Sequence, residues 1–284
     1  MAIAVAIVAA LLYAVGSVAQ QKAASAVPTE EATGARLLTR LVANPVWLLG
    51  VAGDALGFAG QAVALALGSL ALVQPLLVTS LLFALPLSAA WAGRRLKPAD
   101  GLWALLLTAG LAVFVVAGDP TAGVDRTATR HWLVTGAVLL PVIAGCLLGA
   151  RASRSNRALL LGVVTGILFG LTAALVKSVM SLFGAGLVDA VLLHWEVHAL
   201  IVIGATSFIA QANAFQAGEL QLSMPVMTVL DPVVSTLIGV TILRERIQAH
   251  GAEWLLIGAA VVAMAVGTAA LARSAAALEP TPTG

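Results

Sequence analysis

The sequence predicts an all-α integral membrane protein of about nine transmembrane helices, with two inverted repeats of four spans and a fifth span as connector. Composition, the length of the apolar runs and a self-match at a constant offset of 150 residues predict it. Hydrophobic residues fill 61% of the 284 positions and charged residues only 10%, with a mean hydropathy of +1.03. A soluble domain carries ~25% charged residues. The charges gather in short segments between apolar runs of roughly 18 or more residues, each long enough to cross a ~30 Å hydrocarbon core. Strand alternation is absent, so the crossings are helices and not barrel strands.

The spans fall at 2–20, 45–67, 70–92, 99–117, 131–149, 158–180, 197–217, 221–243 and 252–272. Trp47, Trp91, Trp103, Trp132, Trp195 and Trp254 all sit at or near a span end, where an amphipathic indole prefers to lie. The first span has no basic residues before it and is kept as a helix, not read as a signal peptide. Glu31 to Ala43 mixes apolar and basic residues, with Arg36 and Arg40 four apart, and is expected to lie flat at the interface. The Pro-rich tail after Arg273 is expected to be disordered.

Basic residues set the orientation. One set of loops holds Lys22, Arg36, Arg40, Arg94, Arg95, Lys97, Arg151, Arg154, Arg157 and Arg273; the other holds Arg126, Arg130, Arg244 and Arg246. The first set belongs in the cytoplasm, which places the N-terminus outside a plasma membrane and the C-terminus inside. The acidic loop with Asp189 and Glu196 then faces out. The pI near 9.1 does not point to nucleic acid, because the basic residues flank spans. Cys146 stands alone, so disulfides and thiolate clusters within one chain are excluded.

The repeat needs no gap across three spans. Phe58 aligns with Phe208, Gln61 with Gln211, Gly68 with Gly218, Pro75 with Pro225, Arg94 with Arg244 and Gly101 with Gly251. It pairs the second span with the seventh, the third with the eighth and the fourth with the ninth. An odd number of spans separates each pair, so the copies run in opposite directions. More loosely, Leu12 and Tyr13 in the first span answer Leu168 and Phe169 in the sixth. The units are 1–117 (N-terminal repeat), 118–157 (connector with the fifth span), 158–272 (C-terminal repeat) and 273–284 (tail). Inverted repeats characterise alternating-access transporters, whose site lies near the midplane.

Candidate site residues lie on polar stripes. Gly50, Asp54, Gly57, Gln61, Ala64 and Gly68 share one helical face of the second span; Gly204, Ser207, Gln211, Ala214 and Gly218 share the equivalent face of the seventh. Such stripes face a close neighbour or a wet cavity, and for the glycines plain helix packing is the better reading, as it is for Gly162, Gly166 and Gly170. Asp54 and Asp231 are mid-span carboxylates, each costing at least ~2.5–3.5 kcal/mol in hydrocarbon unless a partner, water or cation is at hand. Asp231 shares a face with Thr228 and Ser235 and precedes Pro232, which frees a backbone carbonyl and fits a broken helix. Asp54, Gln61, Gln211, Asp231, Thr228 and Ser235 are therefore the expected substrate- or ion-binding set, with Asp54 and Asp231 as the metal candidates. Lys177 is expected to snorkel from a span end. His194, Glu196 and His198 read as a solvated loop before a divalent-metal access site, and Arg244, Glu245 and Arg246 as a loop ion-pair cluster. No nucleotide loop, catalytic triad or zinc motif occurs, so neither an enzyme nor an ATP-driven pump is expected, and no cofactor beyond a transported Mg²⁺ or a coupling proton.

These residues carry a family resemblance. The inverted four-plus-four arrangement resembles the drug/metabolite transporter superfamily. Trp47, Leu48, Leu49 and Gly50, then Asp54 and Phe58, then Leu72, Val73, Gln74, Pro75 and Leu76 resemble its NIPA-type magnesium transporter branch. The resemblance implies nine spans, an outside N-terminus and Mg²⁺ as cargo. The sequence departs from that branch at Asp54 (usually Glu), Gln74 (Thr) and Gly57 (often Asn). A cation transporter or facilitator is the leading expectation. A proton-coupled exporter of small organic metabolites, lipids or drugs is the rival, and a non-transporting membrane scaffold the third reading. The expected partners are the lipid bilayer and a small solute or cation; the small-residue stripes leave a homodimer open.

Overall fold

A computed structural model of the chain describes residues 1–25, 42–91, 93, 95–153, 156–182, 193–217 and 220–278. These residues form α1 (Ala2–Ser25), α2 (Pro45–Leu67), α3 (Leu70–Leu77), α4 (Ser80–Trp91), α5 (Pro98–Gly118), α6 (Thr129–Ala152), α7 (Arg157–Met180), α8 (Trp195–Gln216), α9 (Leu220–Thr241) and α10 (Glu253–Leu278). Since α3 and α4 share one crossing, Leu70–Trp91, the described residues hold nine helices long and apolar enough to span a bilayer. The chain is an all-α membrane protein. The expected interfacial segment lies almost wholly outside the described residues, as do Arg94, Arg154, Asp189, Gly218 and residues 279–284.

Local chemistry sets the helix starts. Asn44 Oδ1 accepts from Val46 N at 2.9 Å ahead of Pro45, and Ser69 Oγ accepts from Leu72 N at 3.1 Å. Asp100 Oδ2 accepts from Lys97 N at 3.0 Å, while its Oδ1 accepts from Ser274 Oγ at 2.7 Å. The second bond corrects the expected tail. Residues 273–278 continue α10, a run of good helix formers anchored to the start of α5.

The helix break expected in the eighth span lies in the third instead. The eighth span is continuous through Pro225 and Pro232. Ser235 Oγ donates to the carbonyls of Asp231 (2.8 Å) and Pro232 (3.1 Å), and α7 packs closely against this turn. The third span is the one interrupted, at Val78 and Thr79 between Pro75 and Pro86. Thr79 turns back on Leu76 O through both its N–H (3.0 Å) and its hydroxyl (2.6 Å).

Without water to drive helices together, close backbone approach has to do so. The second-span stripe faces α1: a Cβ on Gly50 would lie 2.6 Å from Gln20 Cγ, and one on Gly57 2.9 Å from Tyr13 Cδ1. Likewise Gly162, Gly166 and Gly170 lay α7 against α9 at Ser223, Met227 and Asp231. These contacts are dry helix packing. The helix α7 is the most buried of the nine crossings and α6, which packs on α7, the least. Replacing Gly166 by leucine would put its Cβ 2.6 Å from Leu230 Cβ. The expected result is a loss of at least about 1–3 kcal/mol, read by denaturant titration of the purified protein; unchanged stability would refute close α7–α9 packing.

One end of the bundle is tied shut. Thr121 N donates to Arg246 O at 2.9 Å and Arg246 N to Thr121 O at 3.3 Å; Val124 N bonds Leu243 O at 2.7 Å and Gln248 N bonds Gly118 O at 2.8 Å. Beneath this clasp lies Lys177. Contrary to expectation it does not snorkel: it is 1% exposed, donates to the carbonyls of Gly68 and Leu65, and pairs with Glu245 Oε1 at 3.4 Å. Nor is Glu245 a solvated loop charge. Arg244 takes a left-handed conformation (φ 55°), turning Glu245 inward over Gly239. There its carboxylate accepts from Leu70 N (2.7 Å) and Ala71 N (3.0 Å) and so caps α3.

Candidate functional site

The seam between α1 and α2 holds the first carboxylate. Asp54 is half-buried on the face that meets α1, where Gly16 leaves the space its carboxylate occupies. Gln20 Nε2 donates to Asp54 Oδ2 at 2.5 Å. The other oxygen, Oδ1, is buried without a hydrogen-bond partner. About one turn along the seam Tyr13 packs against Gly57, and its hydroxyl donates to Gln61 Oε1 at 2.7 Å. Four polar side chains thus share one seam, with a single carboxylate oxygen unsatisfied.

The second carboxylate is on α9. Asp231 Oδ1 is also buried without a partner. Its expected neighbours look elsewhere: Thr228 Oγ1 donates to Met224 O at 2.7 Å, and the buried Ser235 donates to the backbone of its own helix. Both hydroxyls are satisfied by the turn before them. On α8, Gln211 Nε2 reaches only Met227 Sδ at 3.9 Å, while Ser207 pairs with Thr172 at 3.2 Å. The six expected residues therefore divide into Asp54 with Gln61, Asp231 with Ser235 and Thr228 on one helix, and Gln211 apart. Tyr13 belongs with the first of these groups, through its hydrogen bond to Gln61.

Tyr13 and Gln20 were missed as site residues. A signal existed: Tyr13, Gly16 and Gln20 lie at spacings of three and four, hence on one face, and Tyr13 is the sole tyrosine. Among the described residues no three His, Cys, Asp or Glu side chains converge as a metal-binding group. His194 and Glu196 form no metal site: Arg126 Nη2 donates to Glu196 Oε1 at 2.7 Å and lies 3.3 Å from His194 Nδ1. Glu196 is 2% exposed, so the solvated-loop reading is corrected for it; the edge-to-face pair of Trp132 and Trp195 stands nearby in sequence.

A cavity of ≈ 200 Å³ opens beyond Asp231, between α3, α5, α9 and α10. Pro232 forms part of its wall, and its lining is apolar apart from the hydroxyls of Thr236 and Thr268.

No family model matches the chain, and no solved structure matches it. It is similar to an uncharacterized protein of Corynebacterium glutamicum, 36% identical over 275 residues, which covers 96% of this chain and 95% of that protein.

Proposed function

This chain belongs to the family of that uncharacterized Corynebacterium glutamicum protein, and we propose that it is a secondary transporter of the drug/metabolite type that moves a cation across the plasma membrane. In this reading 1–117 and 158–272 are inverted repeats, the clasped end faces outside, and alternating access exposes the site to each side in turn. The observation that carries it is the pair of orphaned oxygens, Asp54 Oδ1 and Asp231 Oδ1. A carboxylate in a membrane span needs a partner, and a cation or proton is a partner that would satisfy both oxygens. Mg²⁺ is the first cation to test, on the resemblance around residues 47–76. With only two carboxylates the ion would keep much of its water, in line with its reluctance to dehydrate.

A second reading, a proton-coupled exporter of an apolar organic solute, has its own support in the cavity beside Pro232. The scaffold reading has less. Its small-residue stripes are used up inside the chain, by α1 on α2 and α7 on α9. Proteoliposomes with the Mg²⁺ and pH gradients varied independently separate the three. Mg²⁺ flux without proton dependence is the expected result, proton-dependent solute flux selects the exporter, and no flux of any kind would leave the scaffold.

A further inference from the structure

We propose that the cavity between α3, α5, α9 and α10 is a binding site for the hydrocarbon chain of a membrane lipid. Its two ends differ in exposure. Leu237 (58% exposed), Val233 and Val261 (37% each) stand at its mouth, exposed within the apolar spans of α9 and α10. Leu107, Phe114 and Thr268 close its floor and are buried. A guest therefore arrives from the hydrocarbon phase, not from water.

The lining decides what that guest is. The hydroxyls of Thr236 and Thr268 are the polar side-chain groups among its walls, and a water needs two to four polar partners to stay. Cavities of ~150 Å³ with aliphatic and aromatic walls remain dry and accept a benzene-sized apolar guest. At ≈ 200 Å³ this one has room for a segment of acyl chain. Left empty, its walls would forgo dispersion contacts that the surrounding lipid can supply.

The guest would also touch the break in the third span. Pro75 and Val78 form one wall, at the point where α3 gives way to α4, and Pro232 on the facing wall follows Asp231 directly. An acyl chain there packs against both the break in the third span and the turn that carries the second orphaned carboxylate. This inference requires no transport, so a failed flux assay leaves it standing.

The test is photolabelling of the full chain in nanodiscs of phosphatidylcholine carrying a diazirine in its acyl chain, with the labelled residues read by mass spectrometry. Label is expected at the floor, on Leu107 and Thr268, as well as on outward residues such as Leu255 and Val262, which are exposed on α10. Ala265→Phe, which fills the cavity from one wall, should abolish the floor label and leave the outward label unchanged. If that variant does not fold, Val261→Phe narrows the mouth from the lipid side and should give the same loss. Floor residues that remain unlabelled in the wild type, or stay labelled when the cavity is filled, would overturn the proposal.

Discussion

Glu245→Ala is expected to destabilise the protein by about 3–5 kcal/mol, because it leaves the Lys177 ammonium buried without its counter-charge. Two further losses accompany it. Leu70 N and Ala71 N lose the carboxylate that caps α3, and the inward turn at Arg244 loses its reason to form. Lys177→Met alone strands the carboxylate instead, still holding two backbone donors, so its effect should be smaller. The double substitution Lys177→Met with Glu245→Ala should be milder than the sum of the two singles, as for groups in direct contact. Denaturant titration of the four proteins reads the cycle. Additive effects would mean that the pair is not coupled.

The second large effect is on transport. Asp54→Asn is expected to cut flux at least about tenfold, equivalent to ~1.4 kcal/mol, while stability changes by less than about 1 kcal/mol. The amide is the same size, fits the space opposite Gly16, and its oxygen can still accept from Gln20. What it lacks is the negative charge that would hold a cation or carry a proton. Tyr13→Phe is the contrasting substitution. It removes the donor to Gln61 and should cost stability of about 0.5–1.5 kcal/mol. Flux through Asp54→Asn equal to wild type, in protein of unchanged stability, would remove Asp54 from the site.

The parts of this molecule that follow from local pattern could be read in its sequence. Length and hydropathy place the nine crossings, and the spacing of Gly162, Gly166 and Gly170 marks a close helix contact before its partner is known. Asp54 was legible because an acidic residue amid apolar neighbours announces its own cost. Its partner Gln20 was not, since hydrogen bonds between helices depend on which faces meet. The proline at position 232 misled for a related reason. Proline removes one N–H donor wherever it stands, but whether the helix opens depends on what packs around it, here α7. Lys177 and Glu245 were the least legible of all. In the sequence one looks like a snorkelling span end and the other like a loop charge, and only the fold of the clasp brings them under cover.

That ion pair also sets a schedule. Glu245 lies 68 residues downstream of Lys177, and at ~5–20 residues per second a ribosome needs roughly 3–14 s to supply it. In the folded molecule the other partners of that lysine are the carbonyls of Gly68 and Leu65. The newborn chain therefore stays electrostatically unfinished until nearly all of it has been made. A copy that stops short of residue 245 carries an uncompensated positive charge below the surface, a mark that sets it apart from a completed molecule.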